Sequence, residues 1–139
     1  MIDDLSLLVT WRHGRGGLAP FFAALEQGRI LGARCSTCGG TVAPPRVRCA
    51  KDGAQMMPVD LPPTGIVRQV TTGVASSLLG AEADEPTFAL IQVTGSDNCL
   101  LARISATKAR VAVGAKVRLA RIVRAAKHPA QLLVFEADA

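Results

Sequence analysis

Cys35-Ser36-Thr37-Cys38-Gly39-Gly40 and Cys49-Ala50-Lys51-Asp52-Gly53, with ten residues between Cys38 and Cys49, are one short turn written twice. Two residues between ligands let a chain fold back tightly enough for both side chains to reach one ion. The glycine that follows gives the backbone freedom where the turn is crowded. In the second copy an aspartate stands in the second ligand place. Two such turns close a tetrahedral site and tie together a segment too short to bury a core of its own. The spacing predicts a structural zinc ribbon with Cys35, Cys38, Cys49 and Asp52 as ligands. Two other readings stay open: Cys99 as the fourth ligand, and a degenerate site that holds no metal. A rubredoxin-type iron site would need four thiolates where this stretch offers three.

The 139-residue length suits one domain with a small satellite, and 49% apolar residues supply a modest core. No apolar run approaches the ~20 residues needed to cross a bilayer, so no membrane association is expected. The acidic start Met1-Ile2-Asp3-Asp4 lacks the basic opening of a secretory signal. With the knuckle spacing, it points to reduced thiols in the cytoplasm rather than disulfides.

Ahead of the knuckles, residues 1–28 read as a helical arm. Gly14, Gly16 and Gly17 separate a leading segment from a helix over Leu18–Gln27 that opens on Pro20 and ends at Gly28. Phe21, Phe22 and Leu25 share one face of that helix, either packed on the chain's own fold or presented to a partner. Residues 29–60 form the ribbon, with Pro44-Pro45 imposing an extended path between the knuckles. Leu61-Pro62-Pro63-Thr64-Gly65 reads as a linker.

Residues 61–139 read as β. Strands are expected over 66–74, 87–94, 99–105, 116–124 and 131–136. A polar loop holding Glu82, Asp84, Glu85 and Pro86 divides the first two, and the turn formers Gly95-Ser96-Asp97-Asn98 make a hairpin of the next pair. Leu100, Ala102 and Ile104 alternate as a buried face. In the fourth strand Val117 and Leu119 alternate, but Ile122 falls out of phase, which predicts a bulge near Ala120. The fold class is therefore mainly β: a short helical arm, a rubredoxin-like zinc ribbon and a five-stranded OB-type barrel.

The order of these features resembles a known family. An aromatic helix leads into Gly28-Arg29-Ile30-Leu31-Gly32-Ala33-Arg34-Cys35, then the first knuckle, Pro44-Pro45-Arg46, the second knuckle and a barrel. This is similar to the acyl-CoA-associated OB-fold family with an N-terminal rubredoxin-like zinc ribbon, from about Leu18 to Phe135. The resemblance implies a small accessory subunit, without turnover of its own, of a thiolase-fold enzyme that makes or breaks carbon–carbon bonds, or transfers acyl groups, in acyl-CoA or related thioesters. It also implies a structural zinc and contact with a coenzyme A thioester. The family pattern expects a fourth cysteine where this chain has Asp52.

Charge is the second feature. Eight basic residues fall between Arg103 and Lys127, among them Lys108, Arg110, Arg118, Arg121 and Arg124, and no acidic residue lies between Asp97 and Glu136. A surface of one sign attracts anions, so Arg118, Arg121 and Arg124 are candidate contacts for the phosphates of coenzyme A. The rival target is an acidic partner surface. Zinc ribbons and OB barrels also serve nucleic acids, which makes that the alternative function. Base stacking needs aromatic platforms, however, and beyond Gly65 the chain offers only Phe88 and Phe135, both read as core. His13, in the basic run Trp11-Arg12-His13-Gly14-Arg15, and His128 beside Pro129 have no nucleophile placed near them, so no catalytic residue is expected.

Overall fold

The computed structural model describes residues 9–10, 14–72, 87–105, 111–124 and 132–137. The expectations about the acidic N-terminus, Trp11–His13, the Glu82–Pro86 loop, Lys108, Arg110, Lys127 and His128 lie outside those residues.

A single 3-10 turn, Gly16–Leu18, leads into α1 (Ala19–Glu26) with Pro20 in its first turn. The missing N–H of proline costs nothing there. The ribbon sheet follows, with β1 (Ile30–Cys35) in the centre, β2 (Thr41–Val42) on one side and β3 (Met56–Leu61) on the other, all antiparallel. Five more strands close a barrel: β4 (Thr64–Thr72), β5 (Thr87–Val93), β6 (Cys99–Ile104), β7 (Lys116–Ile122) and β8 (Leu133–Ala137). Their spatial order is β4-β5-β6-β8-β7, with β7 returning to β4. Only β6 and β8 run parallel. Counted along the barrel this is order 1-2-3-5-4, which fits the OB-fold.

Inward positions alternate as the side-chain period of two requires. Leu100, Ala102 and Ile104 are buried between exposed or half-exposed neighbours, and Val67, Ile91, Val93, Val117 and Phe135 fill the centre. In β7 the register slips between Leu119 and Arg121, so Ala120 is the extra residue and Ile122 returns to the face of Val117 and Leu119. The bulge stands where the apolar phase of the sequence breaks.

Two expectations are corrected and one that stood open is decided. The 61–65 linker is shorter than read: β3 runs to Leu61 and β4 starts at Thr64, leaving Pro62-Pro63 between them. An edge position tolerates a proline without a ladder N–H, so prolines need not mark a long connection. Of the two readings of the helix face, packing on the chain's own fold is the one observed. Phe21 and Leu25 are buried in the main core beside Ile30 and Leu61, and only Phe22 stays half-buried, under the guanidinium of Arg15 at 4.5 Å. Phe88 is half-buried on the outward side of β5 rather than core, because Ala89 and Ile91 take the inward positions.

Candidate metal centre

Each knuckle is built by its backbone before any side chain enters, and the two are equivalent at an offset of fourteen residues. The Gly39 N–H donates to Cys35 O at 3.1 Å, and the Gly53 N–H to Cys49 O at 3.0 Å. The Cys35 N–H donates to Gly40 O at 2.8 Å, and the Cys49 N–H to Ala54 O at 2.9 Å. Gly39 at φ +73° and Gly53 at φ +71° occupy the left-handed region that side-chain-bearing residues avoid. The N–H of Thr37 points at Cys35 Sγ and that of Lys51 at Cys49 Sγ, each at 3.4 Å.

Asp52 takes the place of Cys38 in this pseudo-symmetry. The Gly40 N–H acts on the Cys38 thiol and favours its ionised form, and its counterpart, the Ala54 N–H, donates to Asp52 Oδ1 at 3.0 Å. The ligand atoms of Cys35, Cys38, Cys49 and Asp52 all lie within 4.8 Å of one another. Zinc with Zn–S of about 2.3 Å and Zn–O of about 2.0 Å sets tetrahedral S···S edges of about 3.8 Å and S···O edges of about 3.5 Å. Cys38 Sγ and Cys49 Sγ stand 3.7 Å apart, and both Asp52 oxygens are 3.5 Å from Cys35 Sγ. The donor set has the dimensions and chemistry of a closed zinc site.

The electrostatics agree. The Asp52 carboxyl is held below its ordinary range, first by the Ala54 N–H and then by the Cys49 thiol. The Cys35 thiol is lowered, chiefly by the Cys38 N–H that donates to it. For Cys38 the Gly40 N–H pulls downward, but the neighbouring thiols of Cys35 and Cys49 outweigh it and push the group up to about 11. Sulfurs this close resist full ionisation until a cation neutralises them. The four side chains differ in access: Cys35 is buried, Cys49 half-buried, and Cys38 and Asp52 exposed.

The family model of the ChsH2 rubredoxin-like zinc ribbon domain matches residues 22–56. This span contains both knuckles and most of α1. The chain is also similar to the crystal structure of a DUF35-family protein of unknown function from Sulfolobus solfataricus. That match has a TM-score of 0.67 and 25% identity, and covers 88% of this chain and 87% of that one. A second similar structure is an Ltp2-ChsH2(DUF35) aldolase, with a TM-score of 0.69 and 22% identity over 91% of this chain and 98% of that chain. Among curated proteins none matches.

Outside the ChsH2-type ribbon the candidate residues are dispersed. Cys99 is exposed at the start of β6 and is not in the thiol cluster. Arg118 is engaged by Glu136 across the β7–β8 pair. Arg124 donates to Glu26 O at the C-terminal end of α1, at 3.5 Å, where a cation complements the helix dipole. Arg121 and Arg124 line an open groove against Leu25, Glu26 and Gly28, and Arg118 is not part of its wall. The structure thus brings two of the three arginines together.

Sequence reading missed the residues that join ribbon to barrel. Asp97 Oδ2 accepts the Thr41 N–H at 2.8 Å, and the Asp97 N–H donates to Thr41 O at 2.8 Å. The Asn98 side chain takes the Ala43 N–H at 2.9 Å and gives its own N–H to Ala43 O at 2.8 Å. These two residues act as a strand partner for the free edge of β2. Their only sequence signal is an Asp-Asn pair in a turn, which reads the same whether or not a ribbon lies beside it.

Proposed function

We propose that this chain is a non-catalytic accessory subunit of a thiolase-like enzyme complex that forms or cleaves carbon–carbon bonds, or transfers acyl groups, in acyl-CoA or related thioesters. The observation that carries the reading is the joined architecture: a ribbon of the ChsH2 type fused to an OB-type barrel, in the arrangement found over nearly the whole of a chain named as an Ltp2-ChsH2 aldolase. In this reading Cys35, Cys38, Cys49 and Asp52 hold a structural zinc. The metal cross-links the ribbon, and with four protein ligands it leaves no open position for substrate. The clustered thiols face one another and the Asp52 carboxylate, and in this reading all four groups are taken up as ligands. Arg121, with Arg124 beside it, is the element of the basic strand open to a coenzyme A phosphate. Reduced thiols at this spacing suit the cytoplasm. Among the described residues no helix is long and apolar enough to cross a membrane.

The test is co-expression with a thiolase-like enzyme from the same source, followed by size exclusion and a thioester assay of each component and of the mixture. The expected result is co-elution, with no turnover by the small chain alone. Turnover by the isolated chain would refute the accessory role. Failure to co-elute, together with salt-sensitive binding to single-stranded DNA, would favour a nucleic-acid module instead.

A further inference from the structure

The ribbon sheet has a face whose outer end is covered by neither the thiol cluster nor the barrel. Paired residues on neighbouring strands point to the same side, so the Ile30↔Leu61, Gly32↔Val59 and Arg34↔Met57 pairs share one face. At its Ile30–Leu61 end this face is buried in the main core. At its other end it emerges into solvent, where Arg34 is exposed and Met57 is 54% exposed.

A third row lies on the far side of β3. Arg48 bridges Gln55, and the Met56 N–H donates to Val47 O at 3.0 Å. Arg48 therefore falls on the side of Gln55 and Met57, which is also the side of Arg34, and Arg46 precedes it across a bend at Val47. Met57 is thus flanked by Arg34 on β1, with Arg48 one row away beyond β3 and Arg46 close to Arg48 in sequence; all three arginines are exposed. Among the described residues no carboxylate is paired with them. Between residues 29 and 63 the chain has two, Asp52 in the thiol cluster and Asp60 bonded to Arg29. Arg48 has one weak contact, to Gly53 O at 3.4 Å.

We propose that this face, centred on Met57 and Arg34 with the exposed Arg46 and Arg48 at its margin, is a docking surface for an acidic segment of a partner protein. Charge complementarity selects the occupant. Three planar guanidiniums offer forked donors that match carboxylates two bonds at a time. The thioether beside Arg34 adapts to an apolar side chain, and a small apolar centre with a charged margin is the anatomy of a protein–protein interface. The face presents no aromatic side chain on which a base could stack, which sets a protein segment ahead of a nucleic acid. That the partner is a thiolase-like subunit rests on the proposed function; the surface itself does not.

The experiment titrates the full zinc-loaded chain with a fluorescent peptide of alternating Glu and Leu at low and moderate salt. Arms with a single-stranded oligonucleotide of equal charge and with the co-expressed thiolase-like subunit run in parallel. Saturable, salt-sensitive peptide binding is expected, weakened at least tenfold in Arg34→Glu/Arg46→Glu and several-fold in Met57→Ala. A control reversal on the barrel, Arg68→Glu, should leave it unchanged. Zinc content and melting temperature report whether each variant is folded. Equal peptide binding by wild type and the double variant, no peptide binding at all, or tighter oligonucleotide binding through the same arginines would each overturn the proposal. If the peptide binds as expected but the thiolase-like subunit does not, the surface stands and the proposed function falls.

Discussion

Asp52 stands where the first knuckle has Cys38, and the geometry sets its carboxylate at the corresponding place in the cluster. Its carboxylate takes the N–H that its counterpart takes in the first knuckle and lies at a tetrahedral edge from Cys35. Thiolate is the softer donor for zinc, so Asp52→Cys should tighten the site by about tenfold or more, read by competition with a chromophoric chelator. Asp52→Ala should weaken it, and Cys99→Ser should leave it unchanged. If Cys99→Ser released zinc while Asp52→Ala retained it, the ligand assignment would be reversed. The metal site was legible in the sequence because knuckle chemistry is local: ligands two residues apart and a glycine at a fixed offset record the whole turn. Asp52 could be placed by spacing, but its claim over Cys99 needed the three-dimensional pairing of Gly40 with Ala54.

At the scale of elements, legibility followed whether the informative partner was near in sequence. The β7 bulge could be placed at Ala120 because Val117, Leu119 and Ile122 lie within one strand and their phase break is visible there. The helix shows the opposite case. The sequence displays the face carrying Phe21 and Leu25, but it does not say that Ile30 and Leu61 cover it. Phe21→Ala should therefore cost about 3–5 kcal/mol of stability in a urea titration, as for a buried ring, rather than selectively weakening a complex. A free interface anchor would give the reverse pattern, with stability unchanged and association lost. The start of β4 carries a similar constraint. A Cβ on Gly65 would come within 2.6 Å of Gln92 O and 2.7 Å of Ile91 Cγ2, both in the paired strand. Gly65→Ala should destabilise the barrel by about 1–3 kcal/mol, because a backbone carbonyl in a ladder cannot step aside as a flexible side chain would. An unchanged urea midpoint would show that β4 and β5 separate more easily than their register implies.

At the scale of the whole molecule, the question is whether ribbon and barrel are two parts or one. Ile30, Ala43 and Leu61 of the ribbon share a core cluster with Val67, Ile91 and Phe135 of the barrel. Asp97 and Asn98 add four hydrogen bonds to the free edge of β2, with Ser96 and Gln92 bracing the turn that carries them. Gly40, whose backbone N–H acts on the Cys38 thiol, directly precedes Thr41 in this clamp. A disturbance at the metal therefore reaches the barrel through one residue of backbone. Removing zinc with a chelator should raise amide exchange in the ribbon and, in the wild type, around the β5–β6 turn as well. Asp97→Ala/Asn98→Ala should cost on the order of 3 kcal/mol, since buried backbone groups at Thr41 and Ala43 lose their partners. In that double variant the chelator should affect only the ribbon. Were the wild-type β5–β6 turn indifferent to chelator, the clamp would be a passive seam, and zinc would govern the ribbon alone.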